Sequence, residues 1–230
     1  MIIAIDGPSG AGKSTLGKML AKKLNLLYLD TGAMYRAVTL AILRAGETIE
    51  NEEKAVEIAK HSKIELVGEP DSPQIKLNGQ DVSNEIRTNE IGQTASIVSS
   101  VSEIRKILVE HQRTLGEFAP NGCVLDGRDI GTVVFPNADV KFFLTAKPEA
   151  RARRRFEEDL QRGQTSTYEK TLAEINQRDE RDISREDSPL SIAEDAIVID
   201  TSELNLREVY EQMLEKIKGA RDKGQGTRDE

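Results

Sequence analysis

The sequence has one cysteine, Cys123, in 230 residues. An intrachain disulfide is therefore excluded, and no C-x-x-C pair offers a metal site. A reducing compartment fits that usage. Cys123 lies in an apolar run, where a small buried hydrophobe is the ordinary role. Basic charge is also in deficit: 32 Lys and Arg against 40 Asp and Glu leave a net charge of −8. Wrapping a nucleic acid polymer needs a basic face, so that class of partner is not expected. No apolar run approaches the ~18 residues of a spanning helix, so no membrane partner is expected. The first residues lack a signal-peptide pattern, and the cytoplasm is the expected location. Only two histidines occur, His61 and His111; both sit among charged residues and suggest no role. Internal repeats and low-complexity domains are missing. With 37% hydrophobic and 31% charged residues, the chain reads as a soluble enzyme of one or two domains with a substantial core. A monomer is expected.

What is present is organised around one stretch. Gly7-Pro8-Ser9-Gly10-Ala11-Gly12-Lys13-Ser14-Thr15 has the spacing G-x-x-x-x-G-K-[ST]. It follows the apolar run Ile2-Ile3-Ala4-Ile5 and precedes a helical pattern, which is the context a phosphate-binding loop needs. Glycines let backbone N–H groups approach phosphate oxygens without Cβ clashes. A helix starting near Lys13 points its positive end at the anion. Lys13 supplies a cation for β- and γ-phosphates, and the Ser14 hydroxyl can ligate Mg²⁺.

Along the chain, Met1–Ile5 reads as a buried strand. Leu16, Met19, Leu20 and Leu24 mark an amphipathic helix. Leu26–Leu29 reads as a second strand, followed by a helix over about Gly32–Ala45 with Asp30 or Thr31 as its cap. Strand–helix alternation of this kind predicts a parallel sheet with helices on both faces. Residues 62–87 break the pattern. Short strand-like pieces alternate with turn signals, and Asn78-Gly79 is a hairpin cue. A small antiparallel insertion is expected there. Helical periodicity resumes over Thr88–Phe118, interrupted near Ser99–Ser102, where Ser100 and Glu103 fit a capping box. Gly122–Leu125, Val140–Leu144 and Ala196–Ile199 read as further strands. Between the last two, an arginine-rich helix (Glu149–Arg162), a polar loop (Gly163–Thr167) and a helix from Tyr168 to about Asp182 suggest a mobile flap. Leu206–Ile217 reads as a closing helix, and the charged tail after Lys218 is expected to fray. Sites in such folds gather at the carboxyl ends of strands, where Asp6, Asp30 and Asp126 all fall.

No N-K-x-D appears, and no D-x-x-G carries its glycine, which argues against a GTPase. The order of segments resembles the nucleoside monophosphate kinases, and more narrowly the bacterial cytidylate kinases. IDGPSGAGKST (Ile5–Thr15), LDTGAMYRA (Leu29–Ala37), VSNEIRT (Val82–Thr88), DGRDIGTVVFP (Asp126–Pro136) and RDERDISREDSPL (Arg178–Leu190) carry the resemblance. They span nearly the whole chain in the family's order. The resemblance implies an α/β fold of the P-loop NTPase type. It has a five-stranded parallel sheet, a small antiparallel insertion and a helical lid. The core would comprise residues 1–61 and 88–230, with the lid at about 150–167 and the monophosphate-binding insertion at 62–87.

The implied reaction moves the γ-phosphoryl group of MgATP to CMP or dCMP. A phosphomonoester is mostly dianionic at neutral pH, so its oxygen is already a nucleophile and needs no general base. Catalysis then reduces to positioning and charge neutralisation, for which Lys13, Arg128 and Arg185 are the expected catalytic residues. By resemblance, Arg36 and Arg128 bind the CMP phosphate, a role suited to the planar arginine fork. Asp129, Ser96 and Arg105 match positions that contact the base; a carboxylate is the natural acceptor for the cytosine amine. Ser96 and Arg105 are nine residues apart, so only a helix break could bring them together. Asp182 and Arg178 match sugar-contacting positions, and Arg185 a position near the phosphates. Arg154, Arg155 and Arg181 are candidates for clamping ATP. Asp126 fits two roles, orienting water on Mg²⁺ or holding Lys13. A kinase for UMP, AMP or a small metabolite, or a regulatory nucleotide-binding module, are the alternatives; Asp129 and Arg105 favour cytosine, and a pure binder needs no second phosphate site.

Overall fold

The structure is a computed structural model that describes residues 1–161, 163 and 165–225, with side chains to residue 220. Arg162 at the expected end of the arginine-rich helix, part of the loop after it, and the last five residues of the tail lie outside the described residues.

Five strands form one sheet: β1 (Ile2–Asp6), β2 (Leu27–Asp30), β6 (Cys123–Gly127), β7 (Val140–Thr145) and β8 (Ile197–Asp200). Their order is β2-β6-β1-β7-β8, with every pair parallel. Both faces are covered, as the near-continuous apolar strands require. Ile3 and Ile5 point to one face, where Leu16 and Leu20 of α1 (Lys13–Leu24) and Val209, Met213 and Ile217 of α8 (Leu206–Gln225) cover them. Ala4, Leu29 and Leu125 point to the other, against Val109, Ile130, Val134 and Phe135. Cys123 is buried in that second layer, and burial pushes its thiol up to about 12. The tail helix runs on to Gln225, past the point where fraying was expected.

A second apolar cluster joins α2 (Thr31–Arg44), α3 (Glu52–His61), the insertion, α4 (Asn89–Val98) and α5 (Ser102–Glu117). Asp30 caps α2, its carboxylate accepting from the Ala33 N–H at 2.9 Å. The sequence reading passed over α3, although Asn51 caps it and Ala55 and Ala59 repeat at helical spacing. The insertion is a three-stranded antiparallel sheet of β3 (Ile64–Val67), β4 (Gln74–Leu77) and β5 (Gln80–Asp81). Asn78 and Gly79 turn between β4 and β5 with φ of 51° and 82°, the double left-handed turn that tight hairpins favour. A break separates α4 from α5, but not through the expected capping box. Val101 is the cap residue, without a side-chain cap bond. Glu103 pairs outward with Lys106, and the last turn of α4 takes the Ser100 N–H through the Ile97 carbonyl.

The arginine-rich segment forms α6 (Pro148–Gln161) and α7 (Tyr168–Ser184), packed on each other. Arg151, 2% exposed, ties them together: it grips the Asp179 carboxylate with both terminal nitrogens, at 3.1 and 2.6 Å.

Candidate active site

The loop after β1 takes its shape from close packing on the sheet. Gly7 has φ 142°, and a Cβ there would sit 1.9 Å from the Leu144 carbonyl oxygen, so no other residue fits. The loop is held by its surroundings as well. Arg151 donates to the Ser9 carbonyl at 3.1 Å, and the Thr201 hydroxyl to that of Ala11 at 3.3 Å. Gly12 is the cap residue of α1, and it makes no side-chain cap bond to the first amides of that helix. Those N–H groups are the anion-binding end of the helix. Lys13 is buried and donates to the Pro8 carbonyl at 2.7 Å. Burial, with the nearby Arg128, lowers its ammonium well below the ordinary value.

Ser14 donates to Asp126 Oδ2 at 2.5 Å, and Tyr28 to the other carboxylate oxygen at 3.1 Å. Asp126 therefore faces the helix-starting hydroxyl, while the Lys13 ammonium bonds elsewhere. Burial and the neighbouring Asp30 push the Asp126 carboxyl up to about 6. This pair tests whether the site suits Mg²⁺. A hydroxyl and one carboxylate are hard oxygen donors, and Mg²⁺ usually takes only one or two carboxylates beside substrate phosphates. Among the described residues no group of three or more His, Cys, Asp or Glu is placed to hold a metal ion. The donors fit Mg²⁺ carried with a nucleotide and do not form an independent metal cage.

A cavity of about 630 Å³ opens beside this loop. Ser9 to Thr15 line it, together with Arg36, Arg105, Arg128, Asp129, Arg154, Arg155, Arg178, Asp182 and Arg185. Arginines thus outnumber carboxylates. Asp182 receives Arg128 Nε at 2.7 Å. Burial alone would lower Arg128, but Asp182 outweighs it and the guanidinium sits above its ordinary value. Burial would raise Asp182, but Arg128 and Arg178 hold it below the usual carboxylate range. Arg178 has no such pairing. Burial and the adjacent Arg128 lower it to about 9, and its buried Nε has no hydrogen-bond partner among the described residues. Burial likewise lowers Arg36. Both cations are held below their ordinary values by burial and line the cavity, an arrangement that suits an anionic ligand.

Deeper in, Arg105 forms a buried ion pair with Asp129 and lies 5.6 Å from the Tyr35 ring centroid. It also donates to the Ser99 carbonyl at 3.0 Å, across the α4–α5 break. Arg185 approaches Asp129 from the other side, at 3.8 Å. It does so as the residue that caps the C-terminal end of α7, in extended conformation, whereas Arg178 and Asp182 lie within the helix.

Other expected residues lie differently. The Ser96 hydroxyl is buried without a partner among the described residues, one turn before Ser99, whose hydroxyl bonds the Ser96 carbonyl. Gly7, Pro8, Ser96 and Arg181 do not line the cavity. Arg154 is engaged with the Thr201 hydroxyl and carbonyl, and Arg155 with Asn89 at 2.7 Å and Asp159 at 3.1 Å. Arg181 bonds Gln177, one turn away. The sequence reading did not single out Thr201, Leu204, Asn205 and Leu206, which line the cavity beside the phosphate loop. Their only signal was position, directly after the last strand. It also gave no role to Arg151 or Asp6.

Residues 3–219 match the family model described as cytidylate kinase. The chain belongs to the cytidylate kinase family. It is accordingly an ATP-dependent nucleoside monophosphate kinase. It is 53% identical over 216 residues to the cytidylate kinase of Caldanaerobacter subterraneus subsp. tengcongensis, covering 94% of each chain. Against that of Bacillus subtilis it is 47% identical over 215 residues, covering 94% of this chain and 95% of the relative. The fold is similar to that of an uncharacterized protein from Eubacterium ventriosum, with TM-score 0.52, 11% identity, and coverage of 95% and 98%. No helix among the described residues of this kinase is long and apolar enough to cross a membrane.

Proposed function

We propose that this kinase transfers the γ-phosphoryl group of ATP to CMP or dCMP, giving ADP and CDP or dCDP. One observation supports this most: Lys13 of the phosphate loop and the arginines Arg36, Arg128 and Arg178 line one cavity, which the buried Arg105–Asp129 pair, suited to a base, also lines. A phosphate-binding loop alone needs no second set of cations. The α1 amides and Lys13 hold the donor phosphates. Arg36 and Arg128 hold the acceptor phosphate, and Arg178, expected at the sugar, joins them because its buried Nε has no partner among the described residues; the phosphate oxygen attacks the γ-phosphorus as the bond to the bridging oxygen breaks. Arg185, which lines the cavity 3.8 Å from Asp129, screens the repulsion between the two anions. Lys13 stabilises charge as it moves onto the leaving ADP. Ser14 and Asp126 would hold Mg²⁺, whose chemistry there is neutralisation of phosphate charge.

Asp129 offers an acceptor to the cytosine amine, while Arg105 offers donors to N3 and O2. Uracil presents the opposite polarity at position 4 and N3, and would leave buried partners unpaired. The lid formed by α6 and α7 and the insertion around β3–β5 would exclude water from the reacting phosphates.

A coupled assay with CMP, dCMP, UMP, AMP and GMP offered separately tests the assignment. Cytidine nucleotides should be used at least ~10²-fold better in kcat/KM than UMP. Absence of phosphorylation of either cytidine nucleotide would overturn it. Asp129→Asn should then lose more activity with CMP than with UMP, and equal losses would remove Asp129 from base recognition.

A further inference from the structure

Asp6 ends β1, immediately before the phosphate-binding loop, yet its carboxylate bonds amides of another segment. It is 4% exposed. Oδ1 accepts from the Ile130 N–H at 2.8 Å, and Oδ2 from the Gly131 N–H at 2.7 Å. These are the two residues directly after Arg128-Asp129. In the sheet, Asp6 also pairs with Gly127, directly before them. One residue thus brackets the acceptor-facing dipeptide, its backbone on one side and its carboxylate on the other.

The following turn is π-helical, Ile130–Val134, closed by the Phe135 N–H on the Ile130 carbonyl at 2.7 Å. Its far end is held by Arg113 of α5, which donates to the Val134 and Val133 carbonyls at 3.0 and 2.7 Å. Single π-helical turns are rare and need such support. Burying a carboxylate is costly, and the two amide bonds do not fully offset it; burial pushes Asp6 up to about 6. Lys13 and Asp129 are the charged groups acting on it. An amide could accept only one of the two N–H groups, so the second bond requires the carboxylate.

We infer that Asp6, with Arg113 at the opposite end of the turn, is a positioning residue for acceptor recognition. It fixes Asp129 relative to Arg105 by holding the Ile130 and Gly131 amides, and it links the donor strand to the acceptor-reading turn. This rests on the proposed role of Asp129 in reading the base.

The test compares wild type, Asp6→Asn and Arg113→Gln with CMP, UMP and ATP varied in turn. Asp6→Asn should raise the CMP KM ~10-fold and cut the CMP-over-UMP preference in kcat/KM ~10-fold, while the ATP KM changes less than ~2-fold. An ATP KM raised as much as that for CMP, or an unchanged base preference, would overturn the inference. Should Asp6→Asn fail to fold, Arg113→Gln, on an exposed position of α5, reads the same turn. It should reduce the base preference ~3-fold, and an unchanged preference overturns the inference equally. If the wild type phosphorylates no cytidine nucleotide, the proposed function falls, and amide hydrogen exchange decides the role of the clamp. The Ile130 and Gly131 amides should exchange ~10-fold faster in whichever variant folds, and wild-type protection would refute the clamp.

Discussion

Replacing Arg178 with Met should make the ligand-free protein more stable and a worse kinase. Burial, with the neighbouring Arg128, lowers the Arg178 guanidinium to about 9. A basic group with a lowered folded value binds fewer protons folded than unfolded between its folded and unfolded values. Stability therefore rises as pH climbs above about 9, and the full penalty is present at neutral pH. Taken whole, the lowering corresponds to ~5 kcal/mol. Because the guanidinium is half-buried and faces the cavity, ~1–3 kcal/mol is the fraction expected to appear. Methionine keeps the apolar stem and removes the partnerless buried Nε. Asp182 is not orphaned, because Arg128 remains on it at 2.7 Å. Urea unfolding without ligand should show the gain. The same variant should lose ~10–100-fold in CMP KM, the worth of one charge-assisted contact to phosphate. CMP should also raise its melting temperature less than that of the wild type. A ligand-free variant less stable than wild type by more than ~1 kcal/mol would refute the idea that these cations await an anion.

Three further outcomes follow from the same geometry. Lys13→Ala should lower kcat ~10²–10³-fold with little change in CMP affinity, measured by steady-state kinetics and calorimetry; an unchanged kcat would remove it from the chemistry. Arg151→Ala should destabilise the fold by ~3–5 kcal/mol in thermal or urea unfolding, because it strands Asp179 and frees the Ser9 carbonyl; a loss under ~1 kcal/mol would show that the network is not needed. The Asp126 carboxyl is raised from 3.8 to about 6, so the folded state binds more protons than the unfolded state in that window and stability falls as pH rises through it. Asp126→Asn should therefore gain ~2–3 kcal/mol relative to wild type on going from pH 4 to pH 7, and a pH-independent difference would refute the burial cost.

Much of the fold was legible because its signals are local. The strand-forming runs, the helix periodicities and the Asn78-Gly79 turn each depend on a few adjacent residues. The α4–α5 break was legible for the wrong reason. Ser100 and Glu103 have the capping-box spacing, but the chain turns one residue later, with Val101 as the cap. Helix α3 was missed although Asn51 and two buried alanines mark it, because a short polar helix resembles a loop in composition.

The sequence by itself pointed to a triphosphate-binding loop, and to its place between β1 and α1, because a phosphate loop needs its glycines and lysine at fixed spacing. It also determined the family, through long motifs in order. It could not decide what each arginine does. Arg36, Arg151, Arg154, Arg155 and Arg178 carry the same group, and their fates differ through partners far along the chain. Arg151 is consumed by Ser9 and Asp179, Arg154 by Thr201, and Arg178 is left with an unpartnered buried nitrogen. Asp126 and Asp6 look alike at strand ends, yet one meets Ser14 and the other the amides of Ile130 and Gly131. Those choices were made by the parallel register of β2, β6 and β1. That register aligns residues more than ninety positions apart, and competition for buried hydrogen-bond partners then settles which charges remain for the substrates.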